Sequence, residues 1–143
     1  SYRALKYLRD GSKEIDFVIF HDAVRPLISA HIIKTVTKEG IRVGAATTAI
    51  RAIDTVGFSR NRFLVSVPSK EKLYYIHLPY CFKFDWIWNA HHHKKNDKKS
   101  LQDAENTTLL VNSGKKIKIV DSVYPNLKLT HKPDIKIIQT FLR

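Results

Sequence analysis

The sequence predicts an α/β fold, a mostly parallel sheet covered by helices, and three observations carry that prediction. Short β-branched or aromatic runs alternate along the chain with segments of helical period. Phe17-Val18-Ile19-Phe20 is apolar throughout, as a strand buried on both faces would be. At 143 residues the chain suits one domain with one core, and no internal repeat or low-complexity stretch divides it.

Each element has a local cause. Leu5 and Leu8 lie on one face of a helix over residues 2–8, which Asp10-Gly11-Ser12 ends. The strand at 16–20 follows. Ser29 is a natural N-cap for a helix to about Lys38, with Ile32, Ile33 and Val36 on one side and Gly40 as terminator. Residues 42–50 read as a second strand. Between 51 and 76, β-prone pieces at 53–58 and 63–67 flank the polar turn Ser59-Arg60-Asn61-Arg62. This hairpin either projects to pack on another subunit or lies on its own domain. Asp85 is placed to cap a helix over 86–93. A further helix at 101–112 stops at Gly114, residues 116–120 alternate as a strand does, and 126–130 is extended. Pro133 opens a closing helix over 133–142.

The apolar run at 17–20 ends at His21-Asp22, and Pro26 blocks a simple continuation of the ladder. Asp22 and Arg25 therefore emerge at the carboxyl end of what reads as a central strand, where open α/β sheets bind ligands. A carboxylate can hold a cation or a hydroxyl, and a guanidinium can grip phosphate through two parallel hydrogen bonds. The same pair would serve equally well as an ion pair closing a strand-to-helix loop. Lys128 and Thr130 share one side of the extended Asn126-Leu127-Lys128-Leu129-Thr130 and could contact a phosphate.

Other chemistries are excluded or demoted. The net charge of +12 points to anionic partners, yet no nucleic-acid-binding motif accompanies the lysine pairs, which read as solvated surface. No run is long enough to span a membrane. The single cysteine, Cys81, excludes an internal disulfide, suits a reducing cytosol and reads as core. His91-His92-His93 reads as surface histidines, because neighbours on a helix cannot all face one ion. His21 is a hydrogen-bonded structural residue in preference to a general base. Neither GxGxxG nor GxxxxGK[ST] occurs. The chain contains no methionine, which predicts that it begins inside a longer protein.

HDAVRP after an apolar strand, AIDTV, FKFD opening a helix, and NLKLT followed by KPDI occur in one order across nearly the whole chain. In that combination the sequence resembles the cytidylyltransferases that join CTP to a polyol phosphate, a family that includes the 2-C-methylerythritol 4-phosphate and ribitol 5-phosphate enzymes. The resemblance implies a Rossmann-like nucleotidyltransferase sheet with helices on both faces, and a projecting β-arm at 51–76 that completes a homodimer. It implies a cytosolic enzyme, Mg²⁺ as cofactor, and CTP and a polyol phosphate as substrates. Asp22 and Arg25 match the family's active-site Asp and Arg, with Asp22 also at the cation. Thr55 matches an acceptor-binding threonine on the arm. Lys70 falls where the family usually has an arginine reaching the acceptor in the partner subunit. Lys128 matches the lysine that holds the acceptor phosphate, and Thr130 follows it. HDAVRP, AIDTV and VPSKEKLY side with the ribitol 5-phosphate branch.

The departures are specific. The family's first strand and glycine-rich CTP loop have no counterpart here, so the resemblance implies a chain inactive by itself. Leu78-Pro79-Tyr80 stands where the family has Thr-Pro-Gln, Ala104-Glu105 stands for Thr-Asp, and Lys70 loses the fork geometry of arginine. The alternatives are a non-catalytic relative that keeps the fold as a binding module and, last, a basic nucleic-acid-binding domain.

Overall fold

The computed structural model describes residues 1–11, 14–95, 105–122 and 126–142, without the side chains of 93–95. Its elements are α1 (Tyr2–Asp10), β1 (Phe17–Phe20), α2 (Ala30–Val43), β2 (Ala45–Arg51), β3 (Phe58–Arg60), β4 (Phe63–Ser66), β5 (Tyr74–Lys83), α3 (Phe84–Lys95), α4 (Asn106–Asn112), β6 (Lys118–Asp121) and α5 (Lys132–Phe141). Among the described residues, the main sheet has the order β1-β5-β2-β6, and β3 pairs with β4 in a separate hairpin.

Two expectations about the sheet are corrected. It is not mostly parallel at its pairings: β5 runs antiparallel to both β1 and β2, and only β2 and β6 pair in parallel. The cause is β5 itself, one ten-residue strand that pairs antiparallel on both of its sides. Pro79 is tolerated because the register with β2 slips there, from Thr47 opposite Tyr80 to Thr48 opposite His77. Nor is β1 central or buried on both faces. It lies at the edge of the described sheet, and Ile19 is 44% exposed because α2 packs chiefly across β5 and β2.

Helices cover both faces, and β5 shows why. Its side chains alternate across the sheet. Tyr80 and Phe82 pack with Leu5, Phe84, Ile87 and Leu110, so α1, α3 and α4 share one face. Cys81 points the other way, to Val36 of α2 and Val120 of β6. Burial pushes the Cys81 thiol up from its ordinary pKa, consistent with a core residue.

Ser29 caps α2 as expected, its Oγ accepting from the Ile32 amide at 3.2 Å. The helix does not stop at Gly40, however, but at Gly44, whose φ of 92° is the left-handed conformation of a helix C-cap. Gly40 serves another purpose: a Cβ there would lie 2.6 Å from Cys81 Sγ. Glycine lets the last turn of α2 sit directly on β5. Asp85 lies in the first turn of α3 and accepts from Arg9 Nη1 at 3.0 Å. The expected helix at 101–112 is present as α4; its part at 101–104 lies outside the described residues, and Gly114 follows with a φ of 77°.

The arm rises from β2 and β5, where Ala52 N donates to Leu73 O at 2.9 Å. At its tip Asn61 and Arg62 both adopt positive φ, the turn that matches strand twist in a two-residue hairpin. Every residue of β3 and β4 is exposed. No helix among the described residues is long and apolar enough to cross a membrane.

Candidate active site

The loop after β1 folds back on itself. Arg25 N donates to Asp22 O at 3.0 Å, and His21 Nε2 reaches the Arg25 carbonyl at 3.2 Å, a contact that makes His21 the donor. His21 is thus structural, as the sequence suggested. The turn sends the Arg25 side chain inward, where the residue is only 7% exposed. Its Nη1 donates to the Asn126 carbonyl at 2.9 Å. Leu129 N donates to Val24 O at 2.8 Å, and Asn126 Nδ2 donates to Leu78 O at 2.6 Å. These bonds tie together the 21–26 loop, the 126–130 segment and the slipped register of β5.

They also set charges against one another. Asp22 Oδ2 lies 3.9 Å from both Arg25 Nε and Lys128 Nζ. That separation exceeds a hydrogen bond but keeps the Coulomb attraction of a close pair. Asp22 and Lys128 are partly exposed, so both remain accessible to a ligand. Arg25 and Lys128 line a cleft of about 350 Å³ with Asp54, Tyr75, His77 and Asn126, against an apolar wall of Ile50, Ile53 and Leu127. A wider hollow beside α4 has about 700 Å³ of space and no acidic side chain in its lining. The smaller cleft has the convergent polar groups that a binding site requires.

Within the cleft, burial first and then the Arg25 charge hold the His77 imidazole below its ordinary pKa. Tyr80 faces the core instead. Its hydroxyl donates to Glu105 Oε1 at 3.1 Å, and burial followed by Glu105 raises its pKa.

Of the residues singled out from sequence, Asp22, Arg25 and Lys128 come together. Thr130 is close in the chain but does not line the cleft: its hydroxyl donates to Lys128 O at 3.3 Å and its amide to Asp134 Oδ2 at 2.8 Å. Thr55 and Lys70 are exposed on the arm, and neither is among the cleft-lining residues. The sequence reading missed His77, Asn126 and Asp54. Asn126 and Asp54 stand inside the motifs NLKLT and AIDTV. His77 carries no spacing signal, because its place is set by the non-local pairing of β5 with Thr48 of β2.

Asp22 also bears on the implied cation. Magnesium keeps several waters and is commonly bound through one or two carboxylates plus substrate phosphates. An accessible carboxylate beside a lysine fits that pattern, and no group of three or more His, Cys, Asp or Glu capable of holding a metal occurs among the described residues.

The family model described as 2-C-methyl-D-erythritol 4-phosphate cytidylyltransferase matches residues 1–143. The chain is 30% identical over 131 residues to the protein of that name from Desulforamulus reducens, covering 91% of this chain and 55% of the relative. It is 32% identical over 127 residues to the one from Pelotomaculum thermopropionicum, covering 88% and 52%. The chain thus spans just over half the length of these curated relatives. The crystal structure of the Thermus thermophilus enzyme superposes with a TM-score of 0.82 at 22% identity, over 99% of this chain and 67% of that one. The Francisella tularensis enzyme gives 0.86 at 22% identity, over 97% and 64%. Both show the fold. These names side with the methylerythritol acceptor and not with the ribitol branch to which the sequence motifs leaned. The chain belongs to the 2-C-methyl-D-erythritol 4-phosphate cytidylyltransferase family.

Proposed function

We propose that this chain forms the acceptor-binding part of a cytosolic cytidylyltransferase that transfers CMP from CTP to 2-C-methyl-D-erythritol 4-phosphate. The observation that carries this reading is the position of Asp22 Oδ2, 3.9 Å from both Arg25 and Lys128 beside one cleft. An acceptor phosphate oxygen attacks the α-phosphorus of CTP, a new P–O bond forms, and the bond to pyrophosphate breaks. Both reactants are polyanions, so the chemistry depends on aligning them and neutralising their charge. Lys128 takes the acceptor phosphate as a point charge. Arg25, fixed by Asn126, supplies positive potential from the cleft wall. Asp22 orients Lys128 and is the residue that would hold Mg²⁺. When bound, that ion supplies charge neutralisation at the phosphates.

The arm provides the remaining acceptor contacts. Thr55 and Lys70 are not among the residues that line the cleft of their own chain; in this reading a second copy delivers them, and the exposed apolar tip favours such an assembly: Phe58, Phe63 and Leu64 are 64%, 75% and 67% exposed. The test is pyrophosphate release by the complete protein with CTP, Mg²⁺ and each polyol phosphate. Turnover with methylerythritol 4-phosphate in preference to ribitol 5-phosphate is expected. No turnover with either would leave the binding-module reading in its place.

A further inference from the structure

We propose that His77 is a hydrogen-bond donor that reads a hydroxyl of the acceptor's carbon chain, deeper in the cleft than the phosphate. The inference rests on the acceptor reading above and adds a specificity residue to it. The backbone at His77 is held from the β2 side: its carbonyl accepts from Thr48 Oγ1 at 2.8 Å and from Thr47 Oγ1 at 3.3 Å. The ring lines the cleft, and its Nδ1 is buried with no hydrogen-bond partner.

That orphaned nitrogen determines the tautomer. A neutral imidazole carries one N–H and one lone pair. Placing the hydrogen on Nδ1 would bury a donor with no acceptor and set it in the field of the Arg25 guanidinium. Leaving the lone pair there costs less, because a positive charge acts on it. The hydrogen therefore resides on Nε2, the nitrogen left to face the cleft. Burial and Arg25 both oppose the imidazolium, so the donor is uncharged near neutral pH.

The surroundings select the ligand atom. Lys128 is about half exposed and cationic, which suits it to the phosphate. His77 is more enclosed, in a cleft whose lining also includes Ile50, Ile53 and Leu127, which suit a carbon skeleton. The other titratable groups facing the cleft are Arg25, Asp54 and Tyr75. A neutral donor beside apolar walls matches a hydroxyl better than a dianion.

The test uses the complete protein with His77→Leu and His77→Gln, the second keeping an N–H at similar reach. His77→Leu should raise the acceptor KM roughly five- to tenfold, leaving the CTP KM and the affinity for inorganic phosphate unchanged. His77→Gln should recover most of the loss. Wild-type protein assayed with a deoxy acceptor probes the same bond without a mutation, and removing the hydroxyl read by His77 should cost a similar factor. Unchanged kinetics in His77→Leu would overturn the inference, as would parallel loss of phosphate affinity or failure of glutamine to rescue. If wild type binds phosphate but turns over no polyol phosphate, the functional reading falls and takes this inference with it. Wild-type turnover with an indifferent His77→Leu defeats this inference alone.

Discussion

Arg25 Nη1 donates to the main-chain carbonyl of Asn126 across 101 residues of sequence, at 2.9 Å. The Asn126 side chain in turn donates to Leu78 O, so one buried arginine links the 21–26 loop to the slipped register of β5. Charged-donor hydrogen bonds of this kind contribute more than neutral ones, and an unpaired buried carbonyl is costly. Arg25→Met should therefore lower the unfolding free energy by about 1–3 kcal/mol, read as a shift in urea midpoint at constant slope. An unchanged midpoint would show that the link does not support the fold.

Gly40 offers a sharper packing test. Alanine is favoured over glycine in a helix by about 1 kcal/mol. At this position the new methyl would meet Cys81 Sγ at 2.6 Å and Cys81 O at 2.9 Å. The overlap with main chain cannot be relieved by a rotamer change, so Gly40→Ala should be destabilising by roughly 1–3 kcal/mol. A rise in melting temperature would contradict the contact between α2 and β5.

His77 also predicts a pH dependence. Its folded-state pKa lies below the ordinary 6.5, so below that value the unfolded chain binds a proton that the folded protein resists. Stability then falls as pH drops from the ordinary value towards the folded one, and is unaffected above it. Comparison with His77→Gln between about pH 5 and pH 8 isolates the effect. Wild type should lose stability relative to the variant only on the acidic side. A difference independent of pH would mean that the histidine titrates normally.

The arm's role is open to measurement by mass. Phe63→Asp together with Leu64→Asp places charge on side chains that are 75% and 67% exposed and so should spare the fold of the rest of the chain. Sedimentation of the complete protein should show the wild type as a dimer and the variant as a monomer with unchanged far-UV circular dichroism. A monomeric wild type would remove the arm-mediated delivery of Thr55 and Lys70.

What could be read from the sequence was mostly local. Ser29 and Pro133 signal their elements through short-range chemistry and act where the sequence placed them; the turn expected at 59–62 narrows to Asn61-Arg62, with Ser59 and Arg60 in β3. Asp22, Arg25 and Lys128 were legible because each stands in a compact motif. Non-local facts were not legible. Nothing in Tyr74–Lys83 announces one antiparallel strand, since the hydroxyls and amide that support its slip come from Thr47, Thr48 and Asn126. Gly40 reads as a helix stop until the neighbouring Cys81 is seen. The importance of His77 likewise comes from what lies beside it in space.

Lys128→Ala in the complete protein tests the central claim most directly, with initial rates of pyrophosphate release measured while acceptor and CTP are varied separately. If Lys128 holds the acceptor phosphate beside Asp22, the acceptor KM rises by at least roughly tenfold while the CTP KM stays at the wild-type value. An unchanged acceptor KM, or equal losses for both substrates, would contradict the assignment of this cleft to the acceptor.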